Sequence, residues 1–478
     1  NLSRSRFWGI PLPIWRTEDG KEELCIGSIE ELIDEINKSV NSGFMRKNPF
    51  SDFQPNNFSE KNYLKVDLHK NIVDNIILSS NTGKKMYRES DLIDVWFDSG
   101  SMPYAQWHYP FENKEYIDKK RFFPADFIAE GVDQTRGWFY TLHAISSMVF
   151  DSISYKNVVS NGLVLDKKGQ KMSKRLGNAI DPFQTLSDFG PDATRWYMIS
   201  NSNPWDNLKF DFVGVDEVKR KFFGTLYNTY SFFALYANID GFKYDEKVIE
   251  FDQRPELDRW ILSELNSLIR NVDEYYNDYE PTKAARAINS FVIDNLSNWY
   301  VRLSRRRFWK GDYEKDKISA FQTLFDVLIS VAKLSAPISP FFMDRLFIDL
   351  TKNLNHKFSE SIHLEDFPVS DRSKIDLKLE EKIKYAQIIS SLTLSLRAKE
   401  KIKVRQPLSK ILIPVQNLKQ KEIIESVSDE IKSEVNVKNI EFIEGESNLL
   451  VKSIKPNFKK LGPTYGRFMK EITNLTNS

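Results

Sequence analysis

Short apolar runs alternate with helical patterns over residues 1–215. The segment 123–150 is a short apolar run followed by a long helical pattern, and a second apolar run at 158–166 leads into a Gly-containing loop at 167–178. This alternation predicts an α/β region with a parallel sheet and a site at the carboxyl ends of its strands. Residues 16–90 are polar and rich in Asn and Ser, so we expect an insertion at the surface.

The pattern changes twice further along the chain. Over residues 216–365 apolar residues recur at three- and four-residue steps, which predicts an all-α helical bundle. Residues 366–478 combine a helix at about 378–399 and a charged helix at about 417–434 with the apolar runs KILIPV, VKNIEFIE and NLLVKSI. This combination predicts a small C-terminal α/β domain.

Composition narrows the class of protein. Apolar residues make up 41% of the chain, and no segment approaches the ~20 uninterrupted apolar residues of a membrane span. The 68 Lys and Arg residues nearly balance the 67 Asp and Glu residues, so nucleic-acid binding would depend on local basic patches. Cys25 is the only cysteine, which excludes an intrachain disulfide and a multi-cysteine zinc site and fits a reducing cytoplasm.

The loop QKMSKRLGN is the strongest chemical signal. Lys171, Lys174 and Arg175 stand between Gly169 and Gly177. A mobile basic loop of this kind can close over a triphosphate and place positive charge where it builds up on a leaving pyrophosphate. On charge alone, a solvated basic hairpin is the commoner explanation.

Two further segments carry candidate site residues. In AEGVDQTRGWF, Glu130, Asp133 and Gln134 crowd a strand-to-helix junction and could face ribose hydroxyls and an ammonium group, although acidic residues also favour helix N-termini. In DVWFDSG, Trp96 and Phe97 have the character of ordinary core aromatics.

A basic helix is predicted over NWYVRLSRRRFWKG (298–311). Its five basic residues come without an acid, and Arg302, Arg305, Arg306 and Trp309 fall on neighbouring faces. Basic side chains attract phosphates and aromatic rings stack on unpaired bases, as in single-stranded RNA binding. A solvated basic helix is the alternative.

KMSKR resembles the KMSKS signature of class I aminoacyl-tRNA synthetases, with Arg175 in place of the final Ser, and DVWFDSG resembles the form found in isoleucyl enzymes. The resemblance is strong over 91–215 and looser after 220. It implies ATP and Mg²⁺, with Lys174 as the main phosphate contact and Lys171 supporting it. It also assigns contacts to the adenylate and the amino acid: Glu130, Gly131 and Asp133 for the ribose, Gln134 for the ammonium, and Trp96 and Trp138 as walls of an isoleucine pocket.

The resemblance further implies a division of the chain. Residues 1–215 would be the second half of a Rossmann-like catalytic domain, 216–365 an anticodon-binding bundle for tRNA(Ile) and 366–478 a junction domain, in a monomeric cytoplasmic enzyme that needs no membrane. The reaction would be activation of isoleucine to its adenylate followed by transfer to tRNA, without a covalent enzyme intermediate.

The sequence contains no His-x-Gly-His motif and no editing domain. We therefore interpret it as a fragment and expect this chain alone not to catalyse isoleucylation. The alternatives are a valyl- or leucyl-specific relative, a tRNA-binding protein without catalysis, and an unrelated phosphate-binding enzyme whose loop mimics KMSKS.

Overall fold

The computed structural model describes residues 2–244, 246–310, 312–354, 358–444 and 456–477. The chain forms two compact units, and each is built from two stretches of sequence. The first unit comprises residues 1–180 and 201–211, and the second comprises 181–200 and 212–478. The domain boundaries expected from the sequence, after residues 215 and 365, remain predictions.

A small antiparallel sheet with its own core opens the first unit. Its strands lie in the order Glu23–Cys25, Ile14–Thr17, Lys85–Arg88 and Leu78–Ser79. The helix Ile29–Asn41 places Leu32 and Ile36 on one face, and both are buried in a core with Trp15, Ile76 and Met86. The short helices in this region are Glu60–Tyr63 and Lys70–Val73.

Residues 16–90, which we expect to form an insertion at the surface, contain elements that pack around a core of their own. The strand Lys85–Arg88 alternates exposed and buried positions, and the helix Ile29–Asn41 has a sharply amphipathic face, so each buries one side. The indole N–H of Trp15 donates to the Ile76 carbonyl at 2.9 Å, which satisfies the one polar atom of a buried tryptophan. A small number of apolar residues is enough to form this core, because their spacing along the helix and the strands places them on the same faces.

Parallel strand pairs follow in the same unit, as the alternation of strands and helices predicts. Ala125–Gly131 pairs with Tyr155–Asn161, and the helix Trp138–Phe150 connects them. Val164–Leu165 pairs in parallel with Leu208–Lys209. The remaining elements of the unit are the antiparallel pair Ser3–Arg4 and Leu92–Ile93, the helices Val95–Ala105 and Lys114–Asp118, and the 3₁₀ turns Val132–Arg136 and Lys174–Leu176.

Helices dominate the second unit, as their apolar spacing predicts. In chain order the helices up to residue 399 are Pro182–Phe189, Pro191–Asn201, Phe212–Val218, Gly224–Asp240, Glu256–Asn277, Pro281–Ser290, Arg302–Lys310, Lys315–Ser335, Pro340–Thr351 and Leu377–Lys399, with π-helical stretches at Lys219–Phe223 and Phe291–Val301. Of the described helices, only Lys315–Ser335 is long and apolar enough to cross a membrane, and 78% of its most apolar window is buried in the protein. It occupies the position of a core helix.

A small α/β arrangement ends the described chain. The strand Leu408–Val415 pairs in parallel with Val437–Glu444, and the helices Leu418–Glu425 and Ser428–Val435 connect them. Two further helices are Phe458–Tyr465 and Met469–Asn477. The strand predicted at NLLVKSI lies outside the described residues.

Candidate active site and basic helix

Two neighbouring parallel strands end together in the first unit. Glu130 lies opposite Ser160 and Gly131 opposite Asn161, so their carboxyl ends meet at one edge. Glu130 is exposed, and its carboxylate takes part in no hydrogen bond or ion pair within the described residues. A Cβ atom added at Gly131 would lie 2.6 Å from Oδ1 of Asp133, so the glycine lets that carboxylate fold back over the strand end.

Three of the predicted residues form one hydrogen-bonded chain at the start of the following helix. The side-chain carbonyl of Gln134 accepts from the Trp138 amide at 2.9 Å, and its NH₂ group donates to Asp133 at 3.0 Å. An amide at a helix N-terminus has no partner within the helix, so Gln134 supplies one. The sequence did not reveal this second task of Gln134.

The two predicted tryptophans border the contact between the helices Val95–Ala105 and Trp138–Phe150. The indole N–H of Trp138 donates to the Ser99 carbonyl at 3.0 Å. A Cβ at Gly137 would lie 3.2 Å from the ring of Trp96, so a residue without a side chain lets this ring approach. Trp96 is 42% exposed, so it is not the ordinary core aromatic that composition alone favours.

Asp94 positions Trp96, and the sequence analysis did not single it out. Its carboxylate is nearly buried, accepts from the Trp96 amide at 2.8 Å and pairs with Arg4 at 2.8 Å. An Asp directly before a helix is a usual N-cap, and that pattern could have identified it. Burial, and then the negative charge of Asp94, raise the pKa of Asp98.

The KMSKR loop (166–178) is held by its own polar side chains. Oδ1 of Asp166 accepts from the amides of Lys168 and Gln170 at 2.9 and 2.8 Å. Asn178 donates to Oδ2 of Asp166 at 3.0 Å and accepts from the Ser173 amide at 2.9 Å. The hydrogen bond from the Gln170 amide, and then that from Asn178, lower the pKa of Asp166.

The three cations of the loop point away from this framework. Lys171, Lys174 and Arg175 are exposed, and none forms an ion pair within the described residues. Gly169 and Gly177 take the left-handed φ values of +82° and +64° that close the two turns around them. The loop therefore combines a tied backbone with free positive charge.

A close backbone contact fixes the base of the loop. The Gly162 amide donates to the Pro204 carbonyl at 2.8 Å, and a Cβ at Gly162 would lie 2.3 Å from the carbonyl oxygen of Asp206. The paired strands Val164–Leu165 and Leu208–Lys209 continue this junction. The sequence offered no signal for it, because the two segments are some forty residues apart.

In the second unit, the basic helix (Arg302–Lys310) has a charged outer face. Arg305, Arg306 and Trp309 are exposed, and within the described residues neither arginine forms an ion pair. Arg302 differs, since it pairs with the nearly buried Glu434. Arg307, which the sequence analysis did not single out, turns inward to the buried Asp258.

The described residues contain no group of three or more His, Cys, Asp or Glu side chains that could hold a metal ion.

Two family models match the chain. The model of the class I tRNA synthetases (I, L, M and V) matches residues 1–211, and that of the anticodon-binding domain of tRNA ligase matches residues 258–412. A solved LeuRS–tRNA–LeuAMS complex of Agrobacterium radiobacter K84 has a similar fold, with a TM-score of 0.56 at 16% identity over 93% of this chain and 50% of that chain. At this identity the likeness extends to the fold alone.

Curated relatives indicate which amino acid distinguishes this chain's family within the class I synthetases. The isoleucine–tRNA ligases of Porphyromonas gingivalis and Bacteroides thetaiotaomicron are each 62% identical over 99% of this chain, and that of Clostridium novyi is 46% identical over 82%. The chain spans about 41% of the length of the first two and 35% of the third. The chain therefore belongs to the class I tRNA synthetases and, within them, to the isoleucine–tRNA ligase family, which confirms the expected family.

Proposed function

We propose that the chain provides the KMSKR loop, the adenylate contacts and the tRNA-binding helices of an isoleucine–tRNA ligase. The observation that carries the proposal is the KMSKR loop with its exposed, unpaired cations. It follows strand Tyr155–Asn161, whose neighbour ends in Glu130 and Gly131. Ligands of parallel sheets bind at this end of the strands.

In the proposed reaction, isoleucine attacks the α-phosphate of ATP, and pyrophosphate leaves. The hydroxyl of the terminal ribose of tRNA(Ile) then takes the acyl group and releases AMP. Lys174, supported by Lys171, would neutralise the charge that grows on the leaving pyrophosphate. Placing existing charge where new charge develops is an efficient form of catalysis because nothing has to reorganise during the step.

The strand-end cluster would hold the rest of the adenylate. Glu130 and Asp133 present carboxylate oxygens suited to ribose hydroxyls, and Gly131 leaves room for the Asp133 carboxylate to lie close to the strand end. Gln134 still has an unused lone pair on its carbonyl for the ammonium group of isoleucine. Apolar rings such as those of Trp96 and Trp138 suit a branched aliphatic side chain, which offers only methyl groups to recognise.

Mg²⁺ would enter this scheme bound to ATP. A magnesium ion of this kind is usually held by one or two carboxylates, water and substrate phosphates, so it needs no cluster of protein ligands. When bound it offsets negative charge on the phosphates. To the residues of this chain that the structure describes, we assign only the binding and the orientation of the substrates.

The second unit would serve tRNA. We assign residues 1–215 to the second half of a Rossmann-like catalytic domain, 216–365 to the anticodon-binding bundle and 366–478 to a junction domain. Arg305, Arg306 and Trp309 supply the exposed charge and aromatic surface that RNA needs. Arg302 contributes less, since Glu434 already neutralises it.

The experiment is Lys174→Ala in the full-length protein that contains this chain. Loss of one preorganised stabilising group should lower isoleucine-dependent pyrophosphate exchange about 10²- to 10³-fold, with the thermal unfolding midpoint unchanged. Lys156→Ala is the matched control, because Lys156 is an exposed lysine of the same unit that pairs with Asp126. Equal activity of the two variants would contradict the role of the loop.

A tRNA-binding protein without catalysis is the second candidate, and the exposed face of the basic helix favours it. The same full-length protein separates the two: salt-sensitive tRNA binding without any isoleucine-dependent exchange would support the second candidate. Exchange with valine or leucine in place of isoleucine would instead identify a relative with another specificity.

A further inference from the structure

The three consecutive arginines of the basic helix, Arg305, Arg306 and Arg307, have different surroundings. Residues 302, 305, 306 and 309 are spaced as one face of an α-helix, and all four are exposed. Ser304 and Phe308 are fully buried on the other side. Arg307 lies on this inner side, so its guanidinium enters the bundle while Arg305 and Arg306 stay in solvent.

Asp258 receives the inner arginine. Its side chain is fully buried and belongs to the helix Glu256–Asn277. Nη1 and Nη2 of Arg307 donate to its two oxygens at 2.6 and 2.8 Å, a bidentate pair. The hydroxyls of Tyr300 and Ser319 complete the site at 2.9 and 2.6 Å.

The same guanidinium reaches a third helix. Nε of Arg307 donates to the Asp316 carboxylate at 3.0 Å, and Nη2 donates to the Asp316 carbonyl at 2.9 Å. One side chain thus ties the basic helix to Glu256–Asn277 and to Lys315–Ser335. Burial alone would lower the pKa of Arg307, but the hydrogen bonds to Asp258 and Asp316 and the charge of Asp258 together outweigh burial, so the pKa is raised.

Stability alone does not explain this arrangement. A buried ion pair can often be replaced by apolar residues of similar volume without loss of stability, so such pairs are better suited to fixing one geometry among several. The geometry is ambiguous here, because successive helix residues differ by about 100° and three adjacent arginines offer alternative partners for one carboxylate. The observed rotation leaves Arg305, Arg306 and Trp309 together outside.

We propose that Asp258 is a positioning residue for RNA binding: by holding Arg307 it fixes the rotation of the basic helix and thereby presents Arg305, Arg306 and Trp309 to RNA. The proposal rests on the proposed tRNA-binding function. It assigns no contact between Asp258 or Arg307 and RNA. The effect on RNA is exerted through the helix.

The test compares two double variants in the full-length protein, with a tRNA(Ile) transcript as the probe. The apolar pair Asp258→Leu with Arg307→Met removes the clamp without leaving a buried charge. Arg305→Ala with Arg306→Ala removes the outer face. Binding constants are measured over a series of salt concentrations, because each phosphate contact to a single strand contributes about 0.7 to the magnitude of the slope of log K against log salt. Thermal unfolding is followed in parallel.

We expect the outer-face variant to bind more weakly and to lower the magnitude of the salt slope by roughly 1.4, since two phosphate contacts are lost. The apolar-pair variant should bind about tenfold more weakly with a reduced slope. Binding is measured at a temperature at which its unfolding curve shows the variant to be folded, because the buried hydroxyls of Tyr300 and Ser319 lose their acceptor and its unfolding midpoint falls. Arg307→Lys keeps the charge but loses the bidentate geometry, so its affinity should fall between that of the parent and that of the apolar-pair variant. This graded series would not arise if the pair served stability alone.

The outcomes are distinguishable. If the outer-face variant binds like the parent, the RNA-binding proposal itself fails. If the outer-face variant loses binding while the apolar-pair variant keeps both affinity and slope, only the positioning role is overturned. Should the apolar-pair variant not fold, Asp258→Asn, which keeps the shape and one acceptor, is measured in its place against the same two criteria.

Discussion

The KMSKR loop and the helical bundle each use an aspartate to hold a basic segment, but in different surroundings. Asp166 lies at the surface and accepts backbone amides and the Asn178 side chain, and the cations of its loop remain unpaired. Asp258 is fully buried and takes its partner from the basic segment itself. The loop is therefore held without using its charges, whereas the helix gives up one arginine to place the others.

This difference bears on how each segment moves. Surface hydrogen bonds to a loop can break one at a time, because water replaces them at little net cost. A buried charge cannot leave its partner in this way, since it would stay desolvated and unpaired. The loop is thus suited to closing over a ligand, and the helix to a fixed display of side chains.

The largest expected effect comes from breaking the buried pair on one side. Asp258→Ala leaves the Arg307 guanidinium without its main partner, so we expect the free energy of unfolding to fall by about 3–5 kcal/mol. The free energy of unfolding is measured by denaturant titration of the parent and the variant. Asp216→Ala is the control, because Asp216 pairs with Arg220 at the surface one helical turn apart, and its loss should cost no more than about 0.5 kcal/mol.

The next effect concerns a buried carboxyl group in the same bundle and depends on pH. Burial, and then the charge of Glu380, raise the pKa of Glu264 from 4.5 to about 7. The folded protein therefore holds a proton that the unfolded chain releases between these values, so this stabilisation is complete below pH 4.5 and is lost as the pH rises through 7. At about 1.4 kcal/mol per pKa unit, the loss amounts to roughly 3 kcal/mol.

Glu264→Gln should remove this dependence, since the amide keeps an acceptor for Asn295, which donates to Glu264 at 3.1 Å. The variant should match the parent near pH 4.5 and exceed it in stability at pH 8. Glu274→Gln, an exposed position of the same helix, serves as control. A parallel pH profile for parent and Glu264→Gln would refute the assignment.

The smallest effect is expected in the loop. Asp166→Asn weakens the acceptor of the Lys168 and Gln170 amides, so their hydrogen exchange should speed up about tenfold while global unfolding stays unchanged. The lowered pKa of Asp166 gives the opposite sign to Glu264: its contribution is present above the ordinary pKa of 3.8 and is lost as the pH falls. Asp126→Asn, on an exposed strand position, should leave both amides unaffected.

The sequence predicted those parts of the molecule that depend on local pattern. Helical spacing identified the bundle, and the alternation of strand and helix identified the parallel pairs. The four outer residues of the basic helix followed from spacing alone. The family followed from KMSKR and DVWFDSG, since these strings are specific in a way that charge and hydrophobicity are not.

The contacts that could not be predicted from the sequence join residues that lie far apart along the chain. Nothing around RRR tells which arginine turns inward, because the deciding carboxylate, Asp258, lies almost fifty residues earlier. The contacts of Arg4 with Asp94 and of Gly162 with Asp206 likewise join residues that are far apart in the sequence. The compact core within residues 16–90 was missed for a related reason: overall polarity hid a few well-placed apolar residues.

The single cysteine gives the sheet of the first unit a practical value. Cys25 is exposed and lies on Glu23–Cys25, the strand at one edge of the four-stranded sheet. A maleimide dye would therefore attach at one defined place in this chain without any substitution. Because the side chain faces solvent, the label should leave the sheet intact and could report on ligand-dependent changes in the first unit by fluorescence anisotropy or energy transfer.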